Sequence, residues 1–132
     1  VKTLDGRNYH NYDQNPKEYR FIMADGTQII IYIATSKYAG SESIGNIKVD
    51  IDGYKGRYTF GKDFFIFNIT PKGIYPNGLE NTTATDTFED DCNKSKSTEV
   101  NGAGCTAWVI FNENMDYLHC DDLSWNGKTK CK

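Results

Sequence analysis

Two stretches of this chain carry the two-residue period of a β-strand, a third is a pair of apolar runs around a turn dipeptide, and a fourth carries a period that helix and strand share. Residues 21–34 run Phe-Ile-Met-Ala, then Asp25-Gly26, then Thr-Gln-Ile-Ile-Ile-Tyr-Ile-Ala. Two apolar runs around Asp-Gly, a dipeptide that tolerates positive φ at both central positions, predict a β-hairpin entered at Lys17 to Arg20. Residues 46–52 alternate strictly. Ile47, Val49 and Ile51 share one side, and Lys48, Asp50 and Asp52 share the other, which predicts a half-buried strand with the acids and the lysine toward solvent. Residues 63–70 alternate again, with Phe65, Phe67 and Ile69 as the face expected to be buried. Gly53, Gly56 and Gly61 punctuate the turn between these strands, and Pro71, Gly73, Pro76 and Gly78 end the second.

Residues 1–20 show no sustained period. Residues 79–104 are polar, with Leu79, Phe88 and Val100 among the few apolar positions, and a segment of that length needs a tie to sit in a compact domain. Beyond it, Trp108, Phe111, Met115 and Leu118 fall at helical spacing, while Ala107, Val109 and Phe111 would line one side of a strand. The two readings are nearly balanced, and a short helix is favoured.

The 132-residue length fits one domain with a core of its own. Nine Tyr, seven Phe, two Trp and twelve Gly suit short strands and tight turns better than a helical bundle. A net charge of −3 supplies no basic field, so a nucleic-acid partner held by its phosphates is not expected.

The four cysteines, Cys92, Cys105, Cys120 and Cys131, all lie in the C-terminal third, with no C-x-x-C pair and only His119 nearby. That spacing disfavours zinc. An even count reads as two disulfides, for which three pairings exist. Cys92–Cys105 and Cys120–Cys131 are favoured because each closes a polar, loop-like stretch, and a bridge over such a loop stabilises by about 3 kcal/mol. Disulfides place the chain in an oxidising compartment: periplasm, cell surface or outside the cell. No signal peptide and no apolar run near 18 residues is present, so the chain is expected to be a mature form or a truncated one.

Candidate chemistry is sparse. Counting an EF-hand from Asp50 puts Asp52 correctly at the third position but Tyr54 at the fifth, Lys55 where glycine is required and Gly61 at the twelfth, so an Asp/Gly-rich turn is the better reading. His10 and His119 could form an acid–base pair as in a small secreted hydrolase, but Lys and Arg are scattered rather than gathered around a phosphate site. No serine sits in a nucleophile elbow, and Glu89-Asp90-Asp91 and Asp121-Asp122 read as solvated runs. Asn68, Asn81 and Asn93 begin glycosylation sequons. No catalytic residue, cofactor or metal ligand is expected. Trp108, Tyr117 and Trp125 surround the cysteines; they either cover a small core beside the bridges or form an exposed contact surface.

Several of these segments together resemble the globular head of bacterial type IV pilin-like proteins, including the pseudopilins of type II secretion. They are Asp50-Ile-Asp52-Gly53-Tyr-Lys55-Gly56, Gly61-Lys-Asp63-Phe-Phe65-Ile-Phe67 and Gly73-Ile-Tyr-Pro76-Asn-Gly78, then Gly104-Cys105-Thr-Ala-Trp108-Val-Ile, Asn114-Met-Asp116-Tyr117-Leu118, Cys120 and Trp125-Asn-Gly127-Lys-Thr-Lys-Cys131. The likeness spans residues 20–131 and consists of turns, aromatics and cysteines. It implies an α+β fold, an antiparallel sheet packed on an N-terminal helix, with residues 1–20 a helix remnant or linker, 21–78 the sheet and 92–131 a disulfide-bounded region. It implies a non-catalytic filament subunit of a pilus or pseudopilus, methylated at its N-terminus, serving adhesion or secretion. Its partners would be other pilin or pseudopilin subunits and the inner-membrane assembly machinery, reached through a membrane-anchoring helix. The chain departs from the pattern in lacking that apolar helix with its early glutamate, and in having Gly56-Arg57-Tyr58 where the family often has Gly-Pro-Asn. A secreted, disulfide-stapled binding or adhesin module is the alternative, and a small secreted hydrolase a third.

Overall fold

Alternation at period two sets the architecture. The structure, a computed structural model, describes residues 2–6, 17–33, 43–53, 58–79 and 86–132. The strands are β1 (Lys17–Ile22), β2 (Gln28–Ile33), β3 (Gly45–Asp50), β4 (Phe64–Thr70) and β5 (Gly73–Pro76), paired antiparallel in the order β1-β2-β3-β4-β5. The Asp25-Gly26 hairpin forms, with Ile22 opposite Gln28. Gly26 alone takes positive φ (91°), while the Asp25 carboxylate accepts the Thr27 amide at 3.0 Å and Met23 N–H closes onto the Thr27 carbonyl at 2.8 Å.

After the sheet come α1 (Phe88–Asp91), α2 (Thr106–Asn112) and a 3-10 turn at Asp116–Leu118. Thr87 caps α1 by accepting the Asp90 amide. The helical option for residues 106–118 holds only as far as Asn112, because Glu113 adopts the left-handed conformation (φ 55°) and ends the ladder. Asn114 then takes over, its Oδ1 accepting both Trp108 Nε1–H and the Asp116 amide at 3.0 Å.

This C-terminal layer covers one side of the sheet. Ile30 and Phe64 pack with Phe60 and Ala103, and beside them Phe88, Trp108, Tyr117 and Leu123 gather around Cys92 and Cys105. Phe88 and Trp108 stack at a centroid distance of 4.1 Å, with Trp125 tilted against Trp108 at 5.0 Å. Two buried asparagines join the layers. Asn77 donates to Asp86 and to the Ala103 carbonyl and accepts from Asn68; Asn101 gathers the 93–96 loop through Asn93 and the Lys96 carbonyl.

The helix-packed, pilin-like α+β fold is not what the chain forms. The protein is mostly a five-stranded antiparallel sheet, and among the described residues its α-helices are two, of four and seven residues, both after the sheet. Residues 17–20, expected as part of a helix remnant, are strand, since Glu18 and Arg20 alternate with Tyr19 and Phe21 and pair residue by residue with β2. Lys2 likewise bridges to Thr59 rather than beginning a helix.

Candidate functional site

Register assigns each strand residue to a side, because directly opposed residues point the same way. Gln28, Ile30 and Tyr32 of β2 share a side with Lys48 and Asp50 of β3 and with Phe64 and Ile66 of β4. This is the side the C-terminal layer covers, and Gln28, Ile30, Tyr32, Asp50 and Phe64 are all buried there. The expectation is therefore reversed within β3, although Asp52 beyond the strand end is exposed as expected: Asp50 is fully buried, and burial depresses the Lys48 ammonium below the usual lysine range.

The opposite side holds Tyr19 and Phe21 of β1, Ile29, Ile31 and Ile33 of β2, and Gly45, Ile47 and Val49 of β3. It continues through Phe65, Phe67 and Ile69 of β4 to Ile74 and Pro76 of β5. Apart from Gly45 none of these residues is buried, and Tyr19 (57%), Phe21 (53%) and Ile74 (57%) are more than half exposed. Beyond the strand ends, exposed Met23 and Ile51 continue the same alternation. Phe65, Phe67 and Ile69, expected in the core, thus lie on a face that no described element packs against. An antiparallel sheet with one covered face normally turns polar side chains to solvent on the other. Here the second face is apolar from Tyr19 to Pro76, with Lys17 at the β1 end the one charged strand residue that the register places on it, and large contiguous apolar surface of this kind marks a contact site.

The other candidates are dispersed. Cys92 is bonded to Cys105 and Cys120 to Cys131, and no described cysteine is free. The first bridge is buried and the second is half-buried. Trp108 and Tyr117 are not an exposed contact surface: both are buried, and half-buried Trp125 leans on the same core. Rings of this size next to a buried bridge are drawn inside by the area they remove from water. His119 is exposed, and His10 lies outside the described residues, as does the Asn81 sequon. Asp91 is buried, holding the Thr87 amide, while Glu89 and Asp90 are exposed and Asp90 pairs with Lys96 at 2.7 Å. Asp122 pairs with Lys128 and Asp121 accepts from Ser95. The described residues hold no group of three His, Cys, Asp or Glu side chains placed to bind a metal, and no helix long and apolar enough to cross a membrane. Asp50 and Asp52 form a turn rather than a calcium loop, with the Asp50 Oδ1 accepting the Asp52 and Gly53 amides at 3.0 and 3.1 Å.

An open cleft of about 210 Å³ lies between the two bridges, floored by Phe88, Tyr117 and Leu123 and rimmed by Glu89, Lys96 and Asp121. The apolar face escaped sequence reasoning as a site because its residues look like core. The available signal was the continuous apolar runs Ile29 to Ile33 and Phe64 to Phe67, which left both faces of β2 and β4 claiming burial. No protein-family model, curated protein or solved structure matches the chain.

Proposed function

We propose that this domain is a non-catalytic structural subunit of a cell-surface or periplasmic filament, of the type IV pilus or type II secretion pseudopilus kind. It joins its neighbours through the apolar face of the sheet that no described element covers, and turns its bridged C-terminal layer outward. The apolar face that no described element covers carries this reading. A permanent assembly buries such a face for its working life, whereas a free soluble domain would expose it to water. The two disulfides support an oxidising location, and the run of turns, aromatics and cysteines from Asp50 to Cys131 supports the family likeness. The reading draws on the face and the sequence, not on a helix-packed fold, which the chain lacks. Partners are other subunits of the filament and the inner-membrane machinery that assembles it; the net charge of −3 offers nothing to nucleic acid.

The test is incorporation into filaments. Tyr19→Lys and Ile74→Lys lie at opposite edges of the face, both more than half exposed, so the fold is kept. Each is expected to lower the amount of subunit in sheared filament fractions at least tenfold, while Ser97→Lys in the exposed 94–97 stretch leaves it unchanged. Full incorporation of both face variants, or recovery of the protein only as a free secreted monomer, overturns the proposal. The second outcome favours the alternative, a secreted binding module, for which the cleft between the bridges is the supporting feature.

A further inference from the structure

Asp50 and Gln28 are directly opposed residues of β3 and β2, on the covered side of the sheet. Both are buried, Asp50 completely. Asp50 Oδ2 and Gln28 Oε1 are each shut off from solvent without a hydrogen-bond donor, while Asp50 Oδ1 already accepts two amides. Two neighbouring buried acceptors without a donor is an arrangement a protein avoids, since each forfeits its bond to water.

We propose that Asp50 is a proton-operated latch: its neutral carboxyl donates from Oδ2 to Gln28 Oε1, tying the end of β3 to the end of β2. The charged groups acting on Asp50 are Asp63, from the turn before β4, and Asp52, on its own turn, and both favour the neutral form. Its cross-strand neighbours are Gln28 and Phe64, which carry no charge. Burial raises the carboxyl above its usual range and outweighs the two amides, which favour the anion. When the pH rises, the proton leaves to water and two acceptors then face each other. Gln28 must turn its amide or the strand ends must part. The latch sits where two turns meet, since a Cβ at Gly53 would fall 2.2 Å from the Gly26 carbonyl oxygen. Those turns carry Met23 and Ile51, the margin of the apolar face, so the proton sets how firmly that margin is held.

Following the side-chain carboxyl carbon of Asp50 by NMR across pH is the direct test, read on the wild-type chain. A titration midpoint above the ordinary carboxylate range is expected. Asp50→Asn keeps an acceptor for the two amides and supplies a permanent donor to Gln28. Between about pH 4 and about pH 7, the wild-type melting temperature is expected to fall by several degrees relative to that of Asp50→Asn. A midpoint within or below the ordinary range, or equal pH slopes for the two proteins, overturns the latch and shows Gln28 already presenting its amide nitrogen to an ionised Asp50.

Discussion

The Tyr117 hydroxyl donates to the carbonyl of Gly61 at 2.5 Å, across 56 residues of sequence. This one bond ties the 3-10 turn of the C-terminal layer to the turn that launches β4. Tyr117 is buried, and Gly61 is packed so closely that a Cβ there would lie 2.7 Å from the Cys105 sulfur. Neither partner has water to fall back on. Tyr117→Phe is expected to destabilise by about 1–3 kcal/mol, the cost of leaving a buried carbonyl unpaired, as read by urea unfolding. Burial also pushes the Tyr117 phenol up beyond the ordinary tyrosine range. The folded state therefore holds this proton more tightly than the unfolded one. Stability falls as pH climbs past about 10, and Tyr117→Phe removes that part of the alkaline loss.

Asp86 gives a second pH-dependent contribution, on the acid side. Burial raises its carboxyl, with Asp91 adding to the rise, although the 2.6 Å bond from Asn77 pulls the other way. A raised carboxyl binds its proton more tightly folded than unfolded. Its contribution to stability is thus greatest below about pH 4 and declines as pH rises through the folded value. Asp86→Asn is expected to flatten that decline in a thermal-melt series. Asn77→Ala behaves differently: it strips the donors to Asp86 and to the Ala103 carbonyl together, and the loss of several buried bonds should exceed 2 kcal/mol at any pH.

The two bridges differ in access. Cys105 and Cys92 are buried under Phe88 and Trp108, whereas Cys120 and Cys131 are half-buried near the C-terminus. Thiol exchange needs the attacking thiolate to reach sulfur. Under limiting reductant, Cys120 and Cys131 are expected to take up an alkylating label first, by mass mapping, with Cys92 and Cys105 labelled only as the domain unfolds. Equal labelling at the earliest times would contradict this order.

Much of the sheet was legible because its signals are local. Asp25-Gly26 marked the hairpin, and the alternations at 46–52 and 63–70 marked β3 and β4 to within a residue or two. Which side of those strands faces inward was not legible. Lys48 and Asp50 looked solvent-facing because their neighbours Ile47 and Val49 are apolar, yet the layer that covers them is itself polar in part, built around Asn77 and Asn101. Those two asparagines stand in Asn-Gly pairs, and locally they read as turn punctuation. Their burial depends on partners such as Ala103 for one and Lys96 for the other, which no periodicity announces. The helix after Cys105 was shortened for a similar reason: Trp108 is held by Asn114, and that bond lies beyond the point where Glu113 reverses the chain.

Adjacent phenylalanines test the assignment of faces most sharply. Phe64 is 2% exposed, packed against Phe60 at a centroid distance of 5.6 Å and against Tyr58 at 5.4 Å. Phe65, one residue on, points to the opposite side, across from Val49 and only partly buried. Phe64→Ala opens a cavity in a packed layer and is expected to destabilise the isolated domain by about 3–5 kcal/mol. Phe65→Ala removes a ring only partly withdrawn from water, and about 1–1.5 kcal/mol is expected from the area involved. Solubility should move the other way: Phe65→Ser lowers self-association in sedimentation at high protein concentration, and Phe64→Ala, by loosening the fold, raises it. Were Phe65 the costlier of the two in the isolated chain, the apolar face would already be covered within this domain, and the filament contact would have to be sought elsewhere on its surface.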